Sequence, residues 1–334
     1  MEKNNFGLSK NDPSNLEELL LQFDIIQSKI DEIKTDFSSL RNVKDYNGPK
    51  IVIYAATPNR YKQMERSAKT LIANSEIDKV FFLTEHDEYP DPLPDIIETI
   101  NVKEQNYFPE YNPNIAYWTY MALMRLAFHR IFPMYDRVLW LDTDTIIVGD
   151  ISQVFDTPLG DYYYFAAVKE NRRYIQFLEM RKIETREVAF QAYPQIDYQD
   201  YYNSGVLLEN LKLLRDSGMG DKLISRINNY KTGYPDQNVI NNLCRNHIFT
   251  LSNEYNWSYF TGDTDIPKII HCSSGKMQDD VQEIASMYDE LTFEQIMEQK
   301  NRTKLVYDPN KIKNVKEITE DAHWNIKEVD DIDG

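Results

Sequence analysis

The chain has 334 residues, 42% of them hydrophobic, which suffices for a sizeable core in one large domain or two ordinary ones. Its formal net charge of -17 sets it against nucleic acid and anionic bilayers, both of which are bound through basic patches. No stretch reaches the roughly 18 uninterrupted apolar residues of a membrane span, and Met1 to Asp12 is polar without an apolar signal core, so no transmembrane segment and a soluble, cytoplasmic protein are expected.

Residues 13 to 41 read as one helix. Ser14 and Glu17 have capping-box spacing, and Leu16, Leu19, Phe23, Ile26, Ile30, Ile33, Phe37 and Leu40 follow three and four apart. This heptad seam over residues 14 to 41 either pairs with a copy of itself as a short coiled coil, giving a homodimer, or lies against its own protein. Asn47-Gly48-Pro49 breaks the helix, so residues 1 to 48 are an N-terminal helix and linker.

The body runs from 49 to 280. Ile51 to Ala56 is a β-branched run suited to a buried parallel strand. Helical spacing at Met64, Ala68, Leu71 and Ile72, strands at Val80 to Thr84 and Ile97 to Val102, and a helix from Ile115 to Ile131 continue an α/β alternation. Strands follow at Arg137 to Leu141, Tyr163 to Val168 and Gly205 to Leu208, with helices at 211 to 229 and 236 to 244. Residues 281 to 334 turn acidic and irregular, and a loosely attached extension is expected there. Cys244 and Cys272 have no metal-knuckle spacing and read as buried thiols.

The segment Val138-Leu139-Trp140-Leu141-Asp142-Thr143-Asp144-Thr145 carries the chemistry. An apolar strand delivers two carboxylates to its carboxyl end, the edge at which open α/β sheets bind ligands. Two residues apart, both reach one ion in a turn, and oxygen ligation favours Mn²⁺ or Mg²⁺, which would also hold the phosphates of a nucleotide. The structural alternative is a hydrogen-bonded Asp-Thr-Asp turn. Arg125 lies in an apolar helical segment, where a guanidinium needs either an anionic ligand or an acidic neighbour.

Together with Tyr54 to Tyr61, Phe165 to Val168, Tyr202 to Leu208, Tyr234 to Asn238 and His271 to Lys276, this segment resembles glycosyltransferase family 8 over roughly residues 50 to 280, in that family's order. The resemblance implies a GT-A type mixed sheet flanked by helices and a retaining, metal-dependent hexose transfer from a UDP-sugar to a glycan or protein hydroxyl. It implies Asp142, Asp144 and His271 as ligands of Mn²⁺ or Mg²⁺. Ala55, Ala56, Thr57 and Tyr61 would bind the uridine, with Tyr61 stacked on the base.

Arg125, Thr143, Glu170, Asn203, Ser204, Asp236 and Gln237 would complete the nucleotide-sugar site, with Gln237, Asp236 and Asn203 at the reacting carbon. Ser274, Gly275 and Lys276 would contact the diphosphate, although Gly275 and Lys276 stand one residue off the family's usual His-x-x-Gly-x-x-Lys. Asp236 has a second reading as a helix cap. Asn171 to Tyr201 is the expected acceptor loop, with Tyr193, Tyr198, Tyr201 and Tyr202 as stacking candidates.

Two other functions fit parts of the pattern. Asp142 could be the nucleophile of a haloacid-dehalogenase-type phosphatase, with Asp279-Asp280 as its later acidic pair. That motif belongs on a first strand, whereas about ninety residues of α/β sequence precede Asp142 here. A non-catalytic sugar-nucleotide-binding scaffold that recruits partners through its N-terminal helix is the other.

Overall fold

A computed structural model describes residues 46–115, 119–170, 200–232, 234–258, 260–261, 264, 266–273 and 281–302. The helix, coiled coil and homodimer expected over residues 14 to 41 lie outside the described residues, as do Ser274, Gly275 and Lys276.

The central sheet uses strands β1 (Ile51–Ala55), β2 (Lys79–Thr84), β3 (Ile97–Asn101), β4 (Arg137–Leu141), β6 (Phe165–Ala167), β7 (Val206–Asn210) and β8 (Ile248–Thr250), in the order β3-β2-β1-β4-β7-β6-β8. The first four run parallel; β7 is antiparallel to both β4 and β6, and β6 runs parallel to β8. This is the mixed, helix-flanked sheet that the motif order leads one to expect. A separate two-stranded sheet pairs β5 (Thr145–Ile147) antiparallel with β9 (Ile269–His271).

Strands β1, β4 and β7 are buried along their whole length, because helices cover both faces of the sheet. Alternate residues serve alternate cores. Ile51, Ile53, Trp140 and Leu207 pack on one face against α2 (Tyr120–Leu123), α3 (Phe128–Ile131), α4 (Leu211–Asp216), α5 (Met219–Asn229) and α6 (Pro235–Leu243). Val52, Tyr54, Leu139 and Leu208 pack on the other against Met64, Ala68, Leu71 and Ile72 of α1 (Tyr61–Asn74).

The structure corrects three readings of the sequence. The single helix expected over Ile115 to Ile131 is broken: α2 and α3 flank a 3₁₀ turn, Met124–Ala127, in which Arg125 is buried against Asp142, Asp236 and the Ser204 carbonyl. The helix expected over 211 to 229 divides at Gly218, whose φ of +68° is a left-handed conformation that stops α4 before α5 begins. Within residues 281–302, the described part of the expected extension, the chain is helical rather than irregular. Helices α7 (Gln282–Glu290) and α8 (Phe293–Arg302) bury Tyr288, Phe293 and Ile296 in the α1 core. Arg66 of α1 also makes two hydrogen bonds to Asp289, at 2.8 and 2.5 Å. The acidic composition there is the solvent face of amphipathic helices. Both cysteines are buried, and neither is in a disulfide.

Candidate active site

Strand β4 ends at Leu141, and the next residues form a turn because Thr145 closes it twice on the Asp142 carbonyl, through its backbone N–H at 3.2 Å and its hydroxyl at 2.8 Å. The turn is anchored to the next strand by the Asp142 N–H, which donates to the Gly205 carbonyl at 2.8 Å. The chain then enters β5, whose Thr145 is in register with His271 of β9. That pairing carries the imidazole to the carboxylates: Nε2 of His271 lies 3.3 Å from Asp144 Oδ1 and 3.7 Å from Asp142 Oδ2.

One potential ligand atom from each of Asp142, Asp144 and His271 lies within 4.8 Å of the others, so the three can hold a metal ion. Two carboxylates and one imidazole suit a divalent cation of the Mg²⁺ or Mn²⁺ type. The donor set also fits in detail. His271 Nδ1 faces Asn256 Oδ1 at 3.0 Å, which leaves Nε2 toward the carboxylates.

Electrostatics in this cluster follow from burial and proximity. Burial would lower the His271 pKa, but the Asp144 and Asp142 carboxylates outweigh it and the net shift is upward. Asp144 is held below its ordinary value; its burial is overcome by His271, with Arg60 contributing. Asp142 goes up, because its burial and the neighbouring Asp144 outweigh Arg125.

Arg125 is buried, and the partners that the structure gives its guanidinium are acidic neighbours of the protein itself. Its Nη2 donates to Asp142 Oδ1 at 2.7 Å, its Nη1 reaches Asp236 Oδ2 at 3.1 Å, and its Nε donates to the Ala122 carbonyl at 3.0 Å. Trp140 stacks beneath the guanidinium at 4.2 Å and donates its indole N–H to the same Asp142 Oδ1 at 2.7 Å. With Oδ1 taken by two donors, Asp142 presents Oδ2 to the cation position.

Across Arg125 lies a second cluster. Asp236 Oδ2 accepts from the Ser204 hydroxyl at 2.7 Å, and Gln237 Oε1 accepts from the Ser204 N–H at 3.0 Å. Gln237 Nε2 and Asn203 Nδ2 both donate to Glu170 Oε1, at 2.9 and 3.1 Å. The other Glu170 oxygen is buried with no protein partner, and desolvation lifts this carboxyl to about 7. A buried, unpaired acceptor beside fixed amides is what a polyhydroxylated ligand would satisfy. Asp236 does not cap α6: Tyr234 is the N-cap residue, and Asp236 sits in the first turn with its carboxylate given to Arg125 and Ser204.

The structure places Ala55 at the end of β1 with Ala56 just beyond it, both buried, and the Thr57 hydroxyl on Asn59 Oδ1 at 2.5 Å. Tyr61 is 5% exposed, its ring against Tyr89 at 5.0 Å and His86 at 6.2 Å, its hydroxyl accepting from the Glu85 N–H at 3.2 Å. A base stacking on this ring would have to displace a neighbour. Thr143 reaches Gln63 Oε1 at 3.4 Å, and Arg60 Nη1 donates to the same oxygen at 3.2 Å, which places an exposed cation beside the acidic pair.

Tyr201 and Tyr202 are not open stacking platforms. Both are buried, the Tyr201 hydroxyl donating to Asn238 Oδ1 and the Tyr202 hydroxyl sharing a hydrogen bond with Thr250 at 2.9 Å. Tyr193 and Tyr198 lie outside the described residues. Sequence reasoning missed Asn256, Gly205 as a contact of His271, and the Trp140 indole. Trp140 stands inside the informative strand and was legible as a donor two residues from Asp142; Asn256, in Glu254-Tyr255-Asn256-Trp257, follows no pattern.

The family model described as glycosyl transferase family 8 matches residues 51–287. A lipopolysaccharide 1,2-glucosyltransferase of Escherichia coli K12 is 34% identical over 152 residues, 44% of this chain and 41% of that protein. Glycosyltransferase GlyB of Streptococcus pneumoniae is 29% identical over 145 residues, 43% of this chain and 29% of that one. Each match thus spans less than half of the curated relative. Among solved structures, the galactosyltransferase LgtC, in complex with donor and acceptor sugar analogs, shares the fold at a TM-score of 0.52 and 19% identity, over 77% of this chain and 98% of that one.

Proposed function

The chain belongs to glycosyl transferase family 8, and from that premise we propose that it transfers a hexose from a UDP-sugar to a hydroxyl of a glycan or protein acceptor, with retention at the anomeric carbon. The observation that carries this reading is the single buried Arg125 that joins two clusters, the cation-binding set Asp142, Asp144 and His271 on one side and Asp236, Gln237, Asn203 and Glu170 on the other. A nucleotide diphosphate needs the first and a sugar the second. Family membership leaves the phosphatase reading without support.

Asp142, Asp144 and His271 would hold Mn²⁺ or Mg²⁺, which when bound neutralises charge on the diphosphate leaving group. Arg60 adds a guanidinium on the same edge. Ala55, Ala56 and Thr57 close the uridine end of the pocket, and Lys276 with Ser274 and Gly275 would complete the diphosphate contacts. Asp236 and Glu170 accept hydrogen bonds from sugar hydroxyls.

Gln237 cannot swing freely, since Glu170 holds its nitrogen and Ser204 its oxygen. A fixed amide carbonyl facing the anomeric carbon stabilises positive charge there while the acceptor hydroxyl attacks from the face the diphosphate leaves. Double displacement would need a carboxylate nucleophile in the place that this reading gives to the Gln237 amide. A glycan acceptor is favoured by the relative named for lipopolysaccharide glucosyl transfer.

The test is UDP release from a panel of UDP-sugars with Mn²⁺, with Mg²⁺ and with chelator, beside Asp144→Asn. Metal-dependent turnover of one donor, lost in Asp144→Asn, is expected. Turnover undiminished by chelator would overturn the cation assignment, and phosphate release from phosphomonoesters with no UDP-sugar turned over would overturn the transferase reading.

A further inference from the structure

Asn256 is fully buried and touches both clusters, although it belongs to neither. Its Oδ1 lies 3.0 Å from His271 Nδ1, and its Nδ2 lies 2.9 Å from Asn203 Oδ1. Every donor and acceptor along this path is determined by one backbone group. The Gly205 N–H can only donate, and it does so to Asn203 Oδ1 at 2.9 Å. The Asn203 atom facing Asn256 is therefore its oxygen, so Asn256 must offer its NH₂ there and its carbonyl to His271. His271 then carries a proton on Nδ1.

We propose that Asn256 is a positioning residue for both clusters: it fixes His271 in the Nδ1–H form, keeps the Nε2 lone pair for a divalent cation, and couples that cation to the sugar pocket through Asn203. This rests on the cation assignment proposed above. The competing tautomer is close at hand, because Nε2 lies 3.3 Å from Asp144 Oδ1 and an Nε2–H would bond to it and close the ligand position. Metal-binding histidines gain orientation and tautomer from such partners on the second nitrogen, and losing one costs about 10- to 100-fold in metal affinity. The path continues past Asn203 to Glu170 Oε1, which accepts from Asn203 Nδ2 on one side and from Gln237 Nε2 on the other, so the imidazole and the groups around the sugar share one hydrogen-bonded network.

The experiment measures Mn²⁺ affinity by the loss of the free-ion EPR signal in wild type, Asn256→Ala and Asn256→Asp, together with the KM for the UDP-sugar at saturating Mn²⁺. Asn256→Ala is expected to bind Mn²⁺ at least about 10-fold more weakly. Asn256→Asp still accepts from Nδ1–H but has no donor for Asn203, so it is expected to keep Mn²⁺ affinity within a few-fold and to raise the donor KM. General loosening would not produce that split. Long-range ¹H–¹⁵N NMR of wild type without metal, at a pH where the His271 ring is neutral, is expected to show the Nδ1–H tautomer; this reading stands even if neither variant folds.

Equal Mn²⁺ affinity in wild type and Asn256→Ala, or an Nε2–H tautomer in wild type, overturns the proposal. Absence of Mn²⁺ binding by wild type overturns the cation assignment itself and is visible without any variant.

Discussion

Gly205 lies directly against the imidazole of His271: a β-carbon at this glycine would fall 2.7 Å from Nδ1 and 2.9 Å from Nε2. The ring can reach Asp142 and Asp144 only because nothing projects from the strand beside it. Gly205→Ala is therefore expected to push His271 off the carboxylates, weakening Mn²⁺ binding by at least about 10-fold and costing about 1–3 kcal/mol in stability. Titration with Mn²⁺ and urea denaturation read the two effects; unchanged Mn²⁺ affinity would show that the imidazole is not a ligand.

Glu170 has its carboxyl lifted to about 7 by burial, against an ordinary value of 4.5. A raised carboxyl pKa means that the folded state holds its proton longer than the unfolded chain. The contribution to stability is full below about 4.5 and is lost as pH rises through about 7. Glu170→Gln removes the ionisation, so its gain over wild type in urea denaturation is expected to grow from near zero at pH 4.5 to on the order of 2–3 kcal/mol at pH 8. A gain independent of pH would show that the carboxyl titrates normally.

Arg125 compensates two buried carboxylates. Arg125→Met keeps most of the volume and removes the counter-charge that Asp142 and Asp236 share, at an expected cost of about 3–5 kcal/mol. Mn²⁺ should recover part of that cost, because a bound cation replaces the missing charge at Asp142. Thermal melts of wild type and variant with and without Mn²⁺ test this, the larger metal-induced shift being expected in the variant.

Trp140 supplies one of the two donors to Asp142 Oδ1. Trp140→Phe keeps an aromatic ring beneath Arg125 and deletes the N–H, so the carboxylate is held by Arg125 alone. Mn²⁺ affinity is expected to fall about 10-fold, or ~1.4 kcal/mol, the low end for a hydrogen bond to a charged group. Isothermal titration settles it; wild-type affinity in the variant would assign the orientation of Asp142 to Arg125.

The C-terminal helices carry a plain stability prediction. Ile296 is 0% exposed in the α1 core, and Ile296→Ala is expected to cost about 2–4 kcal/mol by denaturation. A near-neutral result would return residues 281–302 to the loosely attached extension that their acidity suggests.

The strands that build the sheet were legible because β1, β4 and β7 are buried on both faces, and continuous apolar runs such as Ile51 to Ala56 record that burial along the chain. The break at Met124–Ala127 was not legible, because Arg125 is turned inward by partners that come from three other segments. Helices α7 and α8 were hidden for a related reason: their few apolar residues are spaced for one narrow contact with α1, and the charged remainder dominates composition.

By itself the sequence determined the strand that ends in Asp142-Thr143-Asp144, the polar residues that follow in family order, and hence the family. These are properties of single elements, set by periodicity and by side-chain chemistry at adjacent positions. Only the tertiary structure decided how His271, which the family resemblance already set beside that pair, is oriented toward it, that Tyr61 is packed among aromatics, and that Asn256 links the two clusters. Those relations depend on the β5 and β9 register and on which donor meets which acceptor across the closed fold, and hydrogen-bond direction between distant segments leaves no periodic trace in the chain.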